Sequence, residues 1–420
     1  MPIARSELMT LTQASELIRL KQISPVELVQ ECLSVIANMN QTLRAFITVL
    51  AEQALNDARK AESEIMSGGW KGQLHGIPIG IKDFYDTAGI PTTAGFIHFS
   101  NRIPDKDAVV VSLIRRAGGI IIGKTNMHEL GMGTTSVASH VGSVRNPWNI
   151  DYAAGGSSGG SAAAVVTGMC YATVDTDAVG SCRIPAACCG VTGFKATYGL
   201  LSTVGILEGE PVDEFILHVA HGAVMCRSVE DTAVLLNALS EKNQSLEKEP
   251  AQQHIDKPYT IERRRARIGV VRNYRASNEV RDVFTKAADM LMSLDYDVKE
   301  VDAPIEPNVD LPQIHNIRAE VSRTLFRDVD VLLLPTTTDI TPTIEQALSG
   351  GPTSISAENT FFANYYGLPA ISIPCGFSGN GLPLGLQVVS QMHNENTVLA
   401  VANDFQQHTD WHRQFSNSRL

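Results

Sequence analysis

Residues 155–161 read Gly155-Gly156-Ser157-Ser158-Gly159-Gly160-Ser161, four glycines and three serines in seven positions. Without a Cβ, glycine tolerates positive φ and lets the backbone approach a ligand closely. A flexible linker is one reading, but apolar, helix-forming sequence follows at once. A phosphate loop is another, but the lysine that such loops place before Ser/Thr is missing. What remains is a rigid, serine-bearing turn at the start of a helix, where backbone N–H groups point outward. The helix expected over 161–169 is rich in small residues, which lets it lie close to a sheet.

The rest of the chain alternates strand and helix signals. Ser24-Pro25-Val26-Glu27 has the form of a capping box with proline at the first helical position, and opens an apolar-periodic run through Leu28, Cys32, Leu33 and Ile36. A second helix is expected over 51–66, ended by Gly68-Gly69. Strands are expected over 77–81, 120–122, 268–271, 296–301, 329–334 and 370–374, and helices over 107–116 (capped by Asp107), 228–239 (capped by Ser228) and 280–294. A polar stretch over 241–261 reads as a surface excursion. This alternation predicts an α/β fold with a largely buried sheet. With 420 residues and no repeat or linker, one large domain over 1–420 is expected, with a helical segment 1–70 packed on it.

Composition excludes several classes. The formal net charge of −11 argues against a nucleic-acid-coating surface, since phosphate binding needs clustered Lys and Arg, and no nucleic acid is expected as a partner. The one dense basic run, 263–267, reads as a solvated face. No apolar run reaches the roughly 18 residues of a membrane-spanning helix. The first 20 residues lack the basic start, apolar block and cleavage site of a secretory signal. Seven cysteines, an odd number, lie largely in apolar or Gly/Ala-rich surroundings. They read as buried free thiols in a reducing compartment, and a cytoplasmic location is expected.

Two further segments carry candidate chemistry. Asp175-Thr176-Asp177-Ala178-Val179-Gly180-Ser181-Cys182-Arg183-Ile184-Pro185 is polar and places Ser181 beside a permissive glycine. Gly76-Ile77-Pro78-Ile79-Gly80-Ile81-Lys82-Asp83 places Lys82 at the end of a buried strand. A serine hydroxyl needs a base before it can attack. No histidine sits in a Gly-x-Ser-x-Gly elbow arrangement, and no cluster has zinc spacing, so no metal is expected.

Together these segments resemble the amidase signature family, the Ser-cisSer-Lys amidohydrolases. The resemblance includes Gly190-Val191-Thr192-Gly193-Phe194-Lys195, Gly123-Lys124-Thr125-Asn126-Met127-His128-Glu129-Leu130, Arg145-Asn146-Pro147-Trp148, Gly367-Leu368-Pro369-Ala370 and Gly381-Leu382-Pro383-Leu384-Gly385-Leu386-Gln387. Spacing agrees: Ser157 precedes Ser181 by 24 residues and Lys82 precedes Ser157 by 75. The resemblance implies a central twisted mixed sheet covered by helices, often in homodimers, with no organic cofactor. It implies Ser181 as nucleophile, Ser157 as bridging serine and Lys82 as a neutral base hydrogen-bonded to both serines. Backbone N–H groups of Ala178, Val179, Gly180 and Ser181 would bind the oxyanion, and Asp177 and Arg183 would support the loop. The implied reaction is hydrolysis of a small carboxamide or acylamide through an acyl-enzyme.

Two departures stand out. Val179 occupies a position where the family usually has glycine, which predicts strain if positive φ is required there and a narrower acyl pocket. The chain is also short near 310–328, passing from Val309-Asp310-Leu311-Pro312 to the next strand almost at once. This shortening predicts an exposed site or a compensating partner. Alternatives to a stand-alone amidase are the glutaminase-type component of a tRNA-dependent amidotransferase and a degenerate, inactive family member. The amidotransferase component usually has glutamine where Ile184 stands.

Overall fold

The computed structural model describes residues 8–240, 258–263 and 265–414. In chain order the strands are β1 (Phe46–Val49), β2 (Pro78–Lys82), β3 (Ile120–Thr125), β4 (Arg145–Asn146), β5 (Asn149–Ala153), β6 (Ala172–Asp177) and β7 (Thr192–Lys195). They continue as β8 (His221–Cys226), β9 (Arg267–Val271), β10 (Asp297–Val301), β11 (Val331–Pro335), β12 (Ala370–Phe377) and β13 (Pro383–Ser390). β4 and β5 pair with each other, and the other eleven form one sheet ordered β1-β3-β2-β6-β8-β7-β12-β13-β11-β9-β10. β2 runs parallel to β3 and β6, and β9 runs parallel to β10 and β11. The strands from β6 through β8, β7, β12 and β13 to β11 pair antiparallel. The fold is thus α/β, with a large mixed sheet flanked by helices.

The inner strands are near-continuous apolar runs because both faces are covered. Every residue of β2, β3, β11 and β13 is buried. Each fully buried Val, Leu or Ile contributes about 1.5–3 kcal/mol relative to exposure. The parallel pair β2–β3 needs a crossover, which includes the helix Val109–Arg116. The helix Asn278–Met292 joins β9 to β10 in the same way.

Helix starts follow the sequence chemistry closely. Ser24 accepts from the N–H groups of Val26 and Glu27, and Glu27 returns a hydrogen-bond acceptor to Ser24. The helix Ala51–Met66 has the expected bounds, and Ser228 caps Val229–Leu239 through Asp231 N–H. Asp107 does not cap its helix. Its carboxylate instead accepts from Ala88 N–H (2.8 Å) and Arg115 Nε (2.9 Å), which leaves Ala108 at the cap position.

Two organisational expectations also change. Segment 1–70 is not wholly helical: β1 lies within it and pairs antiparallel with β3 at the sheet edge. The stretch 310–328 is not a bare link, because the helix Ile314–Leu325 occupies it. Its Arg318 is buried and donates from Nε to Tyr365 O at 2.9 Å. Of the surface excursion expected over 241–261, residues 241–257 lie outside the described residues, and the described end is not wholly at the surface, because Tyr259 is buried in the core with its N–H on Asn237 Oδ1. In the basic run, Arg263 and Arg267 sit at the surface, paired with Asp404 and Asp330.

Candidate active site

Lys82 is the last residue of β2, and β6 runs alongside in parallel with Ile81 opposite Val174. Parallel pairing carries both carboxyl ends to one edge of the sheet, where α/β folds place their ligands. The Lys82 side chain is fully buried. Its Nζ lies 2.7 Å from Ser157 Oγ and 2.9 Å from Thr176 Oγ1. The second hydroxyl on Lys82 is therefore that of Thr176, not Ser181. Burial lowers the amine to about 8, against the opposing pull of Asp175, Cys182 and Asp177. The Phe84 ring lies 5.6 Å from the same nitrogen.

Ser157 sits in the glycine-rich turn expected before the helix, which runs Gly159–Thr167 and starts two residues earlier than read from sequence. The Gly156–Ser157 peptide is cis. Three contacts fix the turn: His128 N–H to Ser157 O (2.8 Å), Ser136 Oγ to Ser157 O (3.0 Å) and Gly160 N–H to Asn126 O (3.0 Å). Gly160 has no room for a side chain, since a Cβ there would lie 2.3 Å from Asn126 O and 2.4 Å from Ala45 O.

Ser181 follows β6, and its carbonyl accepts from Ser158 N–H at 3.1 Å. This ties the two serine-bearing turns together by backbone. Ser181 Oγ makes no hydrogen bond among the described residues. Despite the short 310–328 segment, Ser181 is only 5% exposed. The exposed site expected from the shortening is not found.

The loop between β6 and Ser181 is tied down by charge. Asp177 accepts from Gly180 N–H (2.8 Å), Cys182 N–H (3.2 Å), and Arg183 Nε (3.0 Å) and Nη2 (2.9 Å). Burial alone would raise the Asp177 carboxyl, but the Arg183 charge and hydrogen bonds override it and hold the group well below the carboxylate range. One of the four expected oxyanion amides, that of Gly180, is already donated to Asp177. Val179 is not among the residues with positive φ. Gly180 takes that conformation instead, at φ +132°. The strain expected at Val179 is therefore absent, because the turn places its left-handed residue one position later.

Sequence reasoning missed the groups that complete this network. Arg183 also donates from Nη1 to Gln387 Oε1 (2.6 Å) and Thr360 O (3.0 Å), and from Nη2 to Asn364 Oδ1 (2.6 Å). Asn364 Nδ2 in turn donates to Asp177 O and Oδ1. Below them Asp175 accepts from Ser161 Oγ (2.7 Å) and Thr173 Oγ1 (2.5 Å). Burial raises its carboxyl, although Lys82 and these hydroxyls draw it back. Thr176 and Asp175 lie inside the segment the sequence singled out. Nothing local marks Asn364, because its partners are 187 residues away.

All seven cysteines are free and buried. Burial pushes the Cys182 thiol well above its ordinary value, which makes it a poor nucleophile beside Ser181. Two surface hollows, lined by groups such as Ile18 and Met66 or Lys60 and His75, include none of the residues above. Among the described residues no group of His, Cys, Asp or Glu is arranged to hold a metal ion, and no helix is long and apolar enough to cross a membrane.

An eleven-stranded mixed sheet presenting a buried amine to a glycine-rich serine turn defines the class of amidase signature folds. The family profile described as "Amidase" matches residues 27–321 and 310–399, and the chain belongs to that family. It is accordingly a hydrolase of amide carbon–nitrogen bonds. Among curated relatives, the A subunit of glutamyl-tRNA(Gln) amidotransferase from Marinomonas sp. (strain MWYL1) is 31% identical, over 96% of this chain and 98% of its own. Its counterpart from Thiobacillus denitrificans is 33% identical, over 93% and 95%. Among solved structures, 6-aminohexanoate cyclic dimer hydrolase superposes with a TM-score of 0.85 at 26% identity, over 97% of this chain and 98% of that one. A bacterial aryl acylamidase shares the fold at a TM-score of 0.85 and 22% identity, over 99% and 100%.

Proposed function

We propose that the chain cleaves an amide bond through an acyl-enzyme on Ser181, with Ser157 and Lys82 as the proton relay. The observation that carries this reading is the buried Lys82 amine 2.7 Å from Ser157 Oγ, next to the turn that holds Ser181. Rotation of the Ser181 side chain completes the relay when substrate arrives, since such contacts often close only in the loaded site. Ser181 Oγ attacks the carbonyl carbon and passes its proton to Ser157, which passes its own to Lys82. The N–H groups of Ala178, Val179 and Ser181 receive the oxyanion, Gly180 being committed to Asp177. Collapse breaks the carbon–nitrogen bond, the relay returns a proton to the leaving nitrogen, and water then releases the acyl group by the same route. Asp177 and Arg183 keep the loop in shape.

Glutamine is the first amide to test, with this chain working beside partner proteins. Its support is the run of amidotransferase relatives that this chain matches over nearly its whole length. A stand-alone amidase is the second reading. It is favoured by Ile184, which packs with Cys188 and Ile355 in an apolar cluster where the amidotransferase component usually carries glutamine. The two stretches matched to the family meet over 310–321, in line with a shortened segment there.

Ammonia release from glutamine and from simple aliphatic and aromatic amides separates these readings. Release from glutamine that rises with co-purified partners supports the first. Release from simple amides by the isolated chain supports the second. Labelling of Ser181 by a fluorophosphonate, lost in Ser181→Ala, is expected in both cases, and its absence leaves an inactive relative.

A further inference from the structure

The loop after β3 supplies a polar group that the relay does not use. His128 donates its backbone N–H to Ser157 O at 2.8 Å, which places it beside the bridging serine. Its ring is only 4% exposed and lies flat on Gly133, where a Cβ would come within 2.3–2.5 Å of three ring atoms. Ser136 donates its backbone N–H to His128 Nδ1 at 3.2 Å. A backbone amide can only donate, so Nδ1 is the unprotonated nitrogen and the ring proton resides on Nε2. Burial, reinforced by the Lys82 charge, lowers the imidazole to about 4, so the ring is neutral in ordinary buffers.

Nε2–H makes no hydrogen bond to any described residue, yet it is not among the sealed, unpartnered polar atoms of the interior. It is a fixed donor that no protein group uses and that the interior does not fully enclose. The same loop walls the space above Ser157, because the side-chain direction of Gly131 meets the Phe84 ring at 3.5 Å and Ser157 Oγ at 3.8 Å.

We infer that His128 contacts the substrate, its Nε2–H donating a hydrogen bond to an acceptor atom on the acyl portion. This makes the preferred substrate an amide whose acyl chain carries a carbonyl or hydroxyl oxygen. The inference rests on the Ser181 acyl-enzyme reading. A purely structural His128 would do no more than accept the Ser136 amide and the Thr135 hydroxyl at Nδ1.

His128→Asn separates the two roles. Asparagine Oδ1 can take the place of Nδ1 and keep the Ser136 bond, but the side chain ends short of the Nε2 position. The probes are two fluorophosphonates of equal length, one with a plain alkyl chain and one with ester oxygens along it. In His128→Asn the oxygen-bearing probe is expected to label Ser181 about tenfold more slowly relative to the alkyl probe, the worth of one hydrogen bond. Labelling by the alkyl probe is the internal reference for each protein, and the melting temperature reports whether the variant is folded, so that only the ratio of the two rates reads the hydrogen bond. An unchanged ratio of the two rates overturns the role of His128 while leaving Ser181 in place. No labelling of the wild type overturns the acyl-enzyme and this inference together.

Discussion

At the scale of the residue, the proposed relay turns on a single amine. An ammonium group in water holds its proton up to about 10.4, where it is useless as a base at neutral pH. Enclosure at the end of β2 lowers Lys82 to about 8, because burial penalises the charged form more than the nearby acids favour it. In the proposed relay the base is the unprotonated amine, whose fraction grows as pH rises through that value. The rate kcat/KM should therefore climb about tenfold per pH unit below pH 7 and level off above about 9. A profile of amide hydrolysis against pH checks this, and a rate that is flat from pH 6 to 9 would contradict a titrating Lys82. The lysine could be singled out from sequence because it ends an apolar run. Its Thr176 contact could not, since threonines on strands rarely announce their partners.

Among the elements, the glycine turn and its helix matter most. The turn is rigid because neighbouring backbone leaves it no space, not because glycine is stiff. Gly160→Ala would drive a methyl group into the carbonyl oxygens of Asn126 and Ala45, neither of which is a flexible side-chain tip. Overpacking of this kind costs about 1–3 kcal/mol. Denaturant unfolding should show that loss, and Ser181 labelling should slow because Ser157 shifts with the turn. Wild-type stability and labelling in Gly160→Ala would show that the turn has slack. The composition of this turn and its place before a helix were legible from residue order alone. The failed cap at Asp107 shows the limit of such rules: a stronger partner, Arg115, drew the carboxylate away.

Across the whole molecule, the loop before Ser181 is held by residues from the far end of the chain. Arg183 reaches Thr360, Asn364 and Gln387, the last of these 204 residues away on β13. Gln387→Leu removes one acceptor from a buried guanidinium and leaves Asn359 O without the Gln387 Nε2 donor at 2.7 Å. The lost hydrogen bond to a buried charge predicts a loss of about 1.5–3 kcal/mol. The melting temperature should fall, and kcat should fall with it as Asp177 and Gly180 loosen. A stable variant with unchanged kcat would show that Arg183 needs only Asp177.

Local chemistry was enough to determine most of the helix starts, the buried strands and the make-up of the serine turn. Each depends on backbone preference or on apolar runs a few residues long, which are written directly in residue order. Tertiary structure alone decided that Ser181 is covered although the chain is short. It also decided that Asn364 and Gln387 join Arg183. Those outcomes depend on hydrogen bonds and close contacts between segments far apart in sequence, whose meeting is fixed only when the strands take their order in the sheet.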